Sequence, residues 1–527
     1  MRRPIWGWGD ASTRPDLGDA VKRASMVFGG LERQEAVAAD AIVVPAPRVP
    51  VPAELADFAT GEPTTRAEHT WGKSYVDRVR GYRGDYSAAP DLVARPRSER
   101  EIEHVLEVAS RERLAVIPFG GGSSVTGGVE PRLGPGHRGA ISLDLGALSR
   151  VVEVDDVSEV ARIEAGALGP VLEAQLAGHG RTLRHFPQSF ERSTLGGWIV
   201  TRAGGHFATV YTHVDELVES VRMLTPRGPY ETRRLPASGA GPDPNRLVTG
   251  SEGILGVVTE AWMRVRKRPT FRASASVLFR EFDQAVAATR AIAQSGLHPA
   301  NCRLLDAKEA FLNAVAMDGS SVLVLGFESD DHALDAWIDR AIALATEHGG
   351  RCPRGKIVRS EGEKARSGDA ADDWRASFLA GPYLQDAMIE HGVLADTFET
   401  ACTWAAFPAL YRGVTEAVTE ALVRVAGSGI VTCRFTHVYP DGPAPYFTFL
   451  GKVPRGAELE AWAEVKTAAS DALAHHGGTI THHHAVGRMH RAHYDRERPP
   501  LFAEVLRAAK RTLDPEGLLN PGVLLDP

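Results

Sequence analysis

Three glycines in succession, Gly120, Gly121 and Gly122, follow directly on the apolar, β-rich run LAVIPF at 114–119. A strand that leads into three residues without Cβ atoms lets backbone N–H groups converge on an anion, so this stretch constrains the fold more than any other. The loop formed by Pro118, Phe119, Gly120, Gly121, Gly122, Ser123 and Ser124 is not a G-x-G-x-x-G opening a helix, because Val125-Thr126-Gly127-Gly128 continues as loop. A Rossmann site is therefore disfavoured, and the choice lies between a nest for a diphosphate and an ordinary tight turn.

The surroundings repeat the device. Gln188, Ser189, Phe190, Glu191, Arg192, Ser193 and Thr194 precede Gly196-Gly197; Thr201, Arg202, Ala203 and Gly204 follow; Gly250, Ser251, Glu252, Gly253, Ile254, Leu255 and Gly256 make a further loop ahead of the strand-like VVTEAWMRV. Each alone reads as a turn. Together with the triple-glycine loop they suggest an extended cofactor lying across one domain. Around them, Ser98 is positioned as a helix N-cap with Glu101 three residues on, and strand-like runs fall at 140–145, 151–154 and 161–164. From about Thr270 the pattern changes to amphipathic helices, as at 282–293, 331–347 and 458–475, and a last helix is expected at 500–513.

A chain of 527 residues exceeds what one hydrophobic core serves. The expected division is an N-terminal arm and lead-in at 1–86, a cofactor domain at 87–268, a substrate or cap domain at 269–477 and a C-terminal segment at 478–527. The prolines of VVPAPRVPVP at 43–52 force that part of the arm into an extended connector. With 60 Lys+Arg against 67 Asp+Glu, net charge −7, and no polybasic tail, nothing favours nucleic acid as a partner. Cys302, Cys352, Cys402 and Cys433 lie far apart and read as reduced thiols. Pro4 to Asp10 brings no apolar targeting stretch, so a cytoplasmic location is expected.

The run Thr481-His482-His483-His484 is the most unusual stretch. In an extended segment His482 and His484 share a face while His483 points away. No nearby Glu or Cys completes a familiar ligand spacing, so no metal is assigned; a solvated polar strand and neutral imidazoles serving a reaction centre remain as readings, the second preferred. Tyr446 and Thr448 share a face of PYFTF. By spacing alone Tyr446, Arg303, Arg434 and His185 read as packing residues.

In order along the chain, PFGGGSSV, RHFPQSFERSTLGGW, TRAGG, TGSEGILGVVTEA, CRLLDAKEAF, DTFETACTW, PYFTF and THHHAVGR resemble the alkyldihydroxyacetonephosphate synthase family, within the vanillyl-alcohol-oxidase-type FAD superfamily. The resemblance implies an α+β protein with a two-subdomain FAD-binding (PCMH-type) domain, an α+β cap and a C-terminal return to the flavin domain. FAD contacts then fall on the four loops named above. Many relatives attach the flavin covalently through a histidine in the first loop; Gly122-Ser123-Ser124 stands there, so non-covalent FAD is expected. The implied activity exchanges the acyl chain of acyl-dihydroxyacetone phosphate for a fatty alcohol through an adduct at flavin N5, with Tyr446 as acid/base. His482, His483 and His484 support it, and Arg303 and His185 sit near the flavin. An FAD-linked oxidase or dehydrogenase of a hydroxy acid or alcohol is the alternative. Gln385 stands where the family has an arginine for an anionic substrate group, and Gln188 and Ala485 where it more often has Asp and Gly. The substrate-binding residues are taken as Gln385 and Arg434. The resemblance further implies lipid substrates and a homodimer, and leaves room for peripheral membrane contact.

Overall fold

The computed structural model describes residues 3–10, 15–362 and 370–526. The helix Glu99–Glu112 starts where Ser98 Oγ accepts the Glu101 N–H at 3.3 Å and stops where Arg113 turns left-handed at φ 54°. Its buried stripe, Ile102, Val105, Leu106, Val108 and Ala109, is what the 3.6-residue period demands. The chain then runs into the strand Leu114–Phe119, which pairs in parallel with Gly139–Asp144. That strand pairs in parallel with Leu92–Ala94, and Ala59–Thr60 closes the edge.

A second, antiparallel sheet follows in the order 151–155, 160–164, 257–264, 218–225, 228–231. These two sheets form the first unit. The second is built on seven antiparallel strands in the order 357–361, 271–279, 321–329, 301–305, 430–438, 443–452, 393–399. The helices Phe282–Ala293, Phe407–Ala426 and Glu458–His475 cover it around the largest apolar core. From residue 478 the chain returns to the first unit: Val116 N–H donates to Leu518 O at 2.8 Å, and Asn520 N–H to Val116 O at 2.9 Å. Among the described residues no helix is long and apolar enough to cross a membrane.

Two expectations change. Residues 1–86 are more than a lead-in. Ala59–Thr60 joins the first sheet, and the helix Tyr75–Tyr82, fixed by a Ser74/Asp77 capping box, buries Tyr75 and Val79 in the core of the second unit. The stretch at 193–205 is not all loop, since Leu195–Thr201 is a helix capped by Thr194. Its two glycines cost about 1 kcal/mol each in helix propensity. Burial of Trp198 and Ile199 offsets this, and Gly196 is required because a Cβ there would lie 2.8 Å from Ala165 Cβ.

Candidate active site

Between the two units lies a cavity of about 380 Å³. On the first unit its wall is made of backbone. A Cβ on Gly121 would lie 1.6 Å from Arg192 O, and one on Gly120 2.2 Å from Thr194 Oγ1, so the first two loops interlock only because glycines stand there. The N–H groups of Gly121, Gly122 and Ser123 find no acceptor among the described residues. Pro118, Ser124, Gln188, Ser189, Ser193, Thr194, Thr201, Ala203, Gly204, Glu252 and Gly253 join them in facing the cavity.

The remaining loop residues do not face it. Phe119 and Arg192 wall a small adjoining recess of about 20 Å³. Phe190, Ile254 and Leu255 are drawn into the apolar core, Glu191 accepts the Tyr383 hydroxyl, and Arg202 turns out to Asp215. Gly250 and Ser251 carry the turn, and Gly256 makes room for Met223. A loop lends alternate residues to a ligand and the others to its own support, and spacing did not separate the two sets.

On the second unit the wall is made of side chains set by strand register. Arg434 pairs with Tyr446, and Tyr446 with Glu399, so one row of side chains crosses three strands; Thr432, Thr448 and Thr397 form the next row. The Tyr446 hydroxyl donates to Thr397 Oγ1 at 2.9 Å, and the Arg434 guanidinium sits 3.9 Å over the Tyr446 ring while donating to Glu309 Oε1 at 2.5 Å. Burial raises the phenol above its ordinary range, with Arg434 acting the other way. Arg303, buried and donating to His206 O at 3.1 Å, is lowered to about 9 by burial and then by Arg434. A bulge between Phe435 and His437 turns His437 to the cavity, its Nε2–H donating to Gly205 O.

Gln385 lines the cavity, but its amide donates to Ala395 O at 3.0 Å and to Asp396 Oδ1 at 3.2 Å, and Trp462 donates to the other Asp396 oxygen at 2.7 Å. The neighbouring wall is apolar, with Ala24, Val27 and Phe28 of the helix Gly18–Phe28 facing Leu384 and Met388.

The histidine run departs from the expected alternation. Residues 481–484 wrap around one buried carboxylate. Glu399 accepts the Thr481 hydroxyl at 2.6 Å and the N–H groups of His482, His483 and His484 at 2.7–3.2 Å. The backbone is therefore bent, not extended. His483 and His484 face the cavity, whereas His482 turns behind it to Tyr439 and His213. Burial works against ionisation of Glu399, but His483 and His484 beside it hold its carboxyl well below the usual range. Burial pushes His484 down to about 3 and His482 well below the ordinary imidazole range, so both are neutral at pH 7. His185 lies one layer back, tilted against Trp198. Among the described residues neither of its nitrogens has a hydrogen-bond partner, and a Cβ on Gly205 would come within 2.7 Å of its ring.

Glu399, His437, His213, Thr397 and Lys466 were not legible as site residues. The one signal was the acid inside DTFETACTW, which a strand-burial reading passes over. Nitrogens of His437, His482 and His483 gather within 4.8 Å of one another, a grouping invisible in the local spacing. Two of those imidazoles already use a nitrogen on Gly205 O and Tyr439.

Two family models divide the chain, an FAD binding domain at residues 90–232 and the C-terminal domain of FAD linked oxidases at residues 268–524. Fold and cavity thus define an FAD-dependent enzyme. The chain is 31% identical over 473 residues to the alkyldihydroxyacetonephosphate synthase of Trypanosoma brucei brucei, covering 87% of this chain and 77% of that one. It is 31% identical over 487 residues to that of Dictyostelium discoideum, covering 89% and 79%. A solved alkyldihydroxyacetonephosphate synthase superposes with a TM-score of 0.82 at 25% identity over 98% of each chain. The chain belongs to the alkyldihydroxyacetonephosphate synthase family. The cavity fits FAD: N–H groups without acceptors at 121–123 suit a diphosphate, on a loop whose close seating against residues 192–194 only glycines allow.

Proposed function

We propose that this chain exchanges the acyl chain of an acyl-dihydroxyacetone phosphate for a fatty alcohol, an ether-lipid-forming transfer without net redox change, on FAD held non-covalently. The observation that carries this reading is Tyr446, a buried phenol on the cavity wall under a guanidinium and beside the neutral imidazole of His484. The apolar wall of Val27, Phe28, Leu384 and Met388 supports a long-chain substrate. The kinship to alkyldihydroxyacetonephosphate synthases supports the reaction class.

FAD would be held by residues 120–124, Ser189, Ser193, Thr194 and 203–204, and when bound it supplies an electron-accepting ring at which the chains are exchanged. Tyr446 takes the proton from the carbon bearing the acyl ester. Loss of its own proton is opposed by burial and favoured by the Arg434 cation over its ring and by the Thr397 hydroxyl. His484, neutral and edge-on with its ring centre 5.4 Å from that of Tyr446, packs against the phenol and adds no competing charge. Arg303 offers a fixed cation where negative charge develops.

In an anaerobic assay with acyl-dihydroxyacetone phosphate and labelled fatty alcohol, ether product without any electron acceptor is expected. Tyr446→Phe should abolish exchange and leave FAD bound; retained exchange would remove the phenol from the mechanism. Gln385 favours a second reading. Its neutral amide, committed to Asp396, offers a phosphate no charge-assisted bond, which suits an oxidase or dehydrogenase of a hydroxy acid or alcohol. Bleaching of the flavin by such substrates, with no ether formed, would select it.

The same proposal includes a cytoplasmic homodimer that touches membranes peripherally. Exposure of Met26 at 74% and Val27 at 41%, beside the apolar wall, supports that contact, and flotation with lipid vesicles tests it.

A further inference from the structure

We propose that Lys73 is the cation that holds the diphosphate of FAD against the glycine loop. Its backbone N–H donates to Ser124 O at 2.6 Å, which straps the residue to the end of that loop. The preceding Gly72 makes the approach possible, since a Cβ there would lie 2.4 Å from Ser124 O. Lys73 borders both the main cavity and the small recess, and Gly121 and Gly122 are the loop glycines that do the same. Lys73 therefore lines the same cavity as the three loop residues whose N–H groups lack acceptors, and shares the small recess with two of them.

Among the described residues no carboxylate comes within 4.0 Å of its ammonium. Asp386 is already taken by Trp8 N–H at 2.6 Å and Arg78 at 2.8 Å, and Asp77 caps its own helix. A half-buried cation without a counter-ion is partly desolvated at a cost, and a phosphate oxygen is the kind of partner that offsets it. Burial lowers the amine to about 8, followed by the Arg78 and Arg3 charges, while Asp386 and Asp77 act the other way. Binding of a dianion next to it should draw a proton onto the amine.

This inference rests on FAD as the cofactor but not on the acyl-exchange reading, and its test reads binding, not turnover. FAD is titrated into apoprotein by flavin fluorescence for wild type, Lys73→Met and Lys73→Arg, with riboflavin as a ligand lacking both phosphates. Lys73→Met should weaken FAD by about tenfold or more and leave riboflavin unchanged, and Lys73→Arg should retain most of the affinity. In wild type, where no variant fold is in question, FAD affinity should fall as pH rises from 7 to 9. Equal FAD affinity in Lys73→Met, an equal loss of riboflavin, or a flat wild-type profile would each overturn the proposal. Unchanged FAD binding with a raised KM for a phosphorylated substrate would do so too, and would move the lysine to the substrate.

Discussion

Glu399 and Glu252 clamp the same C-terminal loop from opposite units, and they differ in charge state. Glu399, 2% exposed, gathers the N–H groups of residues 482–484; Glu252, 7% exposed, accepts those of Val486 at 2.9 Å and Gly487 at 2.7 Å. Burial opposes ionisation of both. Beside Glu399 the imidazoles of His483 and His484 reverse that tendency, whereas Glu252 has the two N–H groups and the more distant Arg488, and its carboxyl is raised to about 7. Two carboxylates that both accept backbone N–H groups of one loop thus differ: the one on the substrate side is held anionic well below the usual carboxylate range, and the one on the flavin side titrates near neutrality.

The largest effect should come from breaking the first clamp. Glu399→Gln puts an NH2 group among backbone donors and removes the charge that the histidines face. We expect turnover to fall about 100-fold and stability by about 4 kcal/mol, measured by assay and urea melts. A variant with wild-type turnover would mean that loop placement does not depend on the charge.

The next sharpens the contrast from the acid side. His484 sits at about 3 when folded, so the unfolded chain binds its proton first. Its stability contribution is present above about 6.5 and is lost as pH falls toward 3, at about 1.4 kcal/mol per pH unit. His484→Asn should remove that slope. Glu252 has the opposite sign. Its folded value near 7 lies above the ordinary 4.5, so its contribution is present below about 4.5 and lost as pH rises through 7. Glu252→Gln should abolish this smaller, alkaline-going loss. If both variants kept the wild-type pH profile, the two clamps would not differ in the way described.

Periodic elements were mostly legible to the residue, although the helix expected at 331–347 begins only at Asp335. The helices at 282–293, 458–475 and 500–513 fall where the apolar stripes end, because a helix reports its own boundaries locally. The glycine loops were legible as backbone approaching a ligand. The reaction wall was legible only in part, because Glu399 meets Tyr446 through a strand register 47 residues apart, and His437 is turned to the cavity by a bulge that alternation along its own strand does not announce. The alternation assigned to His482 and His484 failed for the same reason. A carboxylate 82 residues before Thr481 bends the backbone that local spacing treats as extended.

The pairing of Val116 with Leu518 and Asn520 also has a consequence for biosynthesis. The strand that leads into the glycine loop leaves the ribosome about 400 residues before the segment that completes its edge, a delay of roughly 20–80 s at ordinary translation rates. During that interval the strand has an unpaired rim, open to other nascent chains. The flavin unit can close only after the whole cap has been translated, so cofactor capture is set to be among the last events in the maturation of this enzyme.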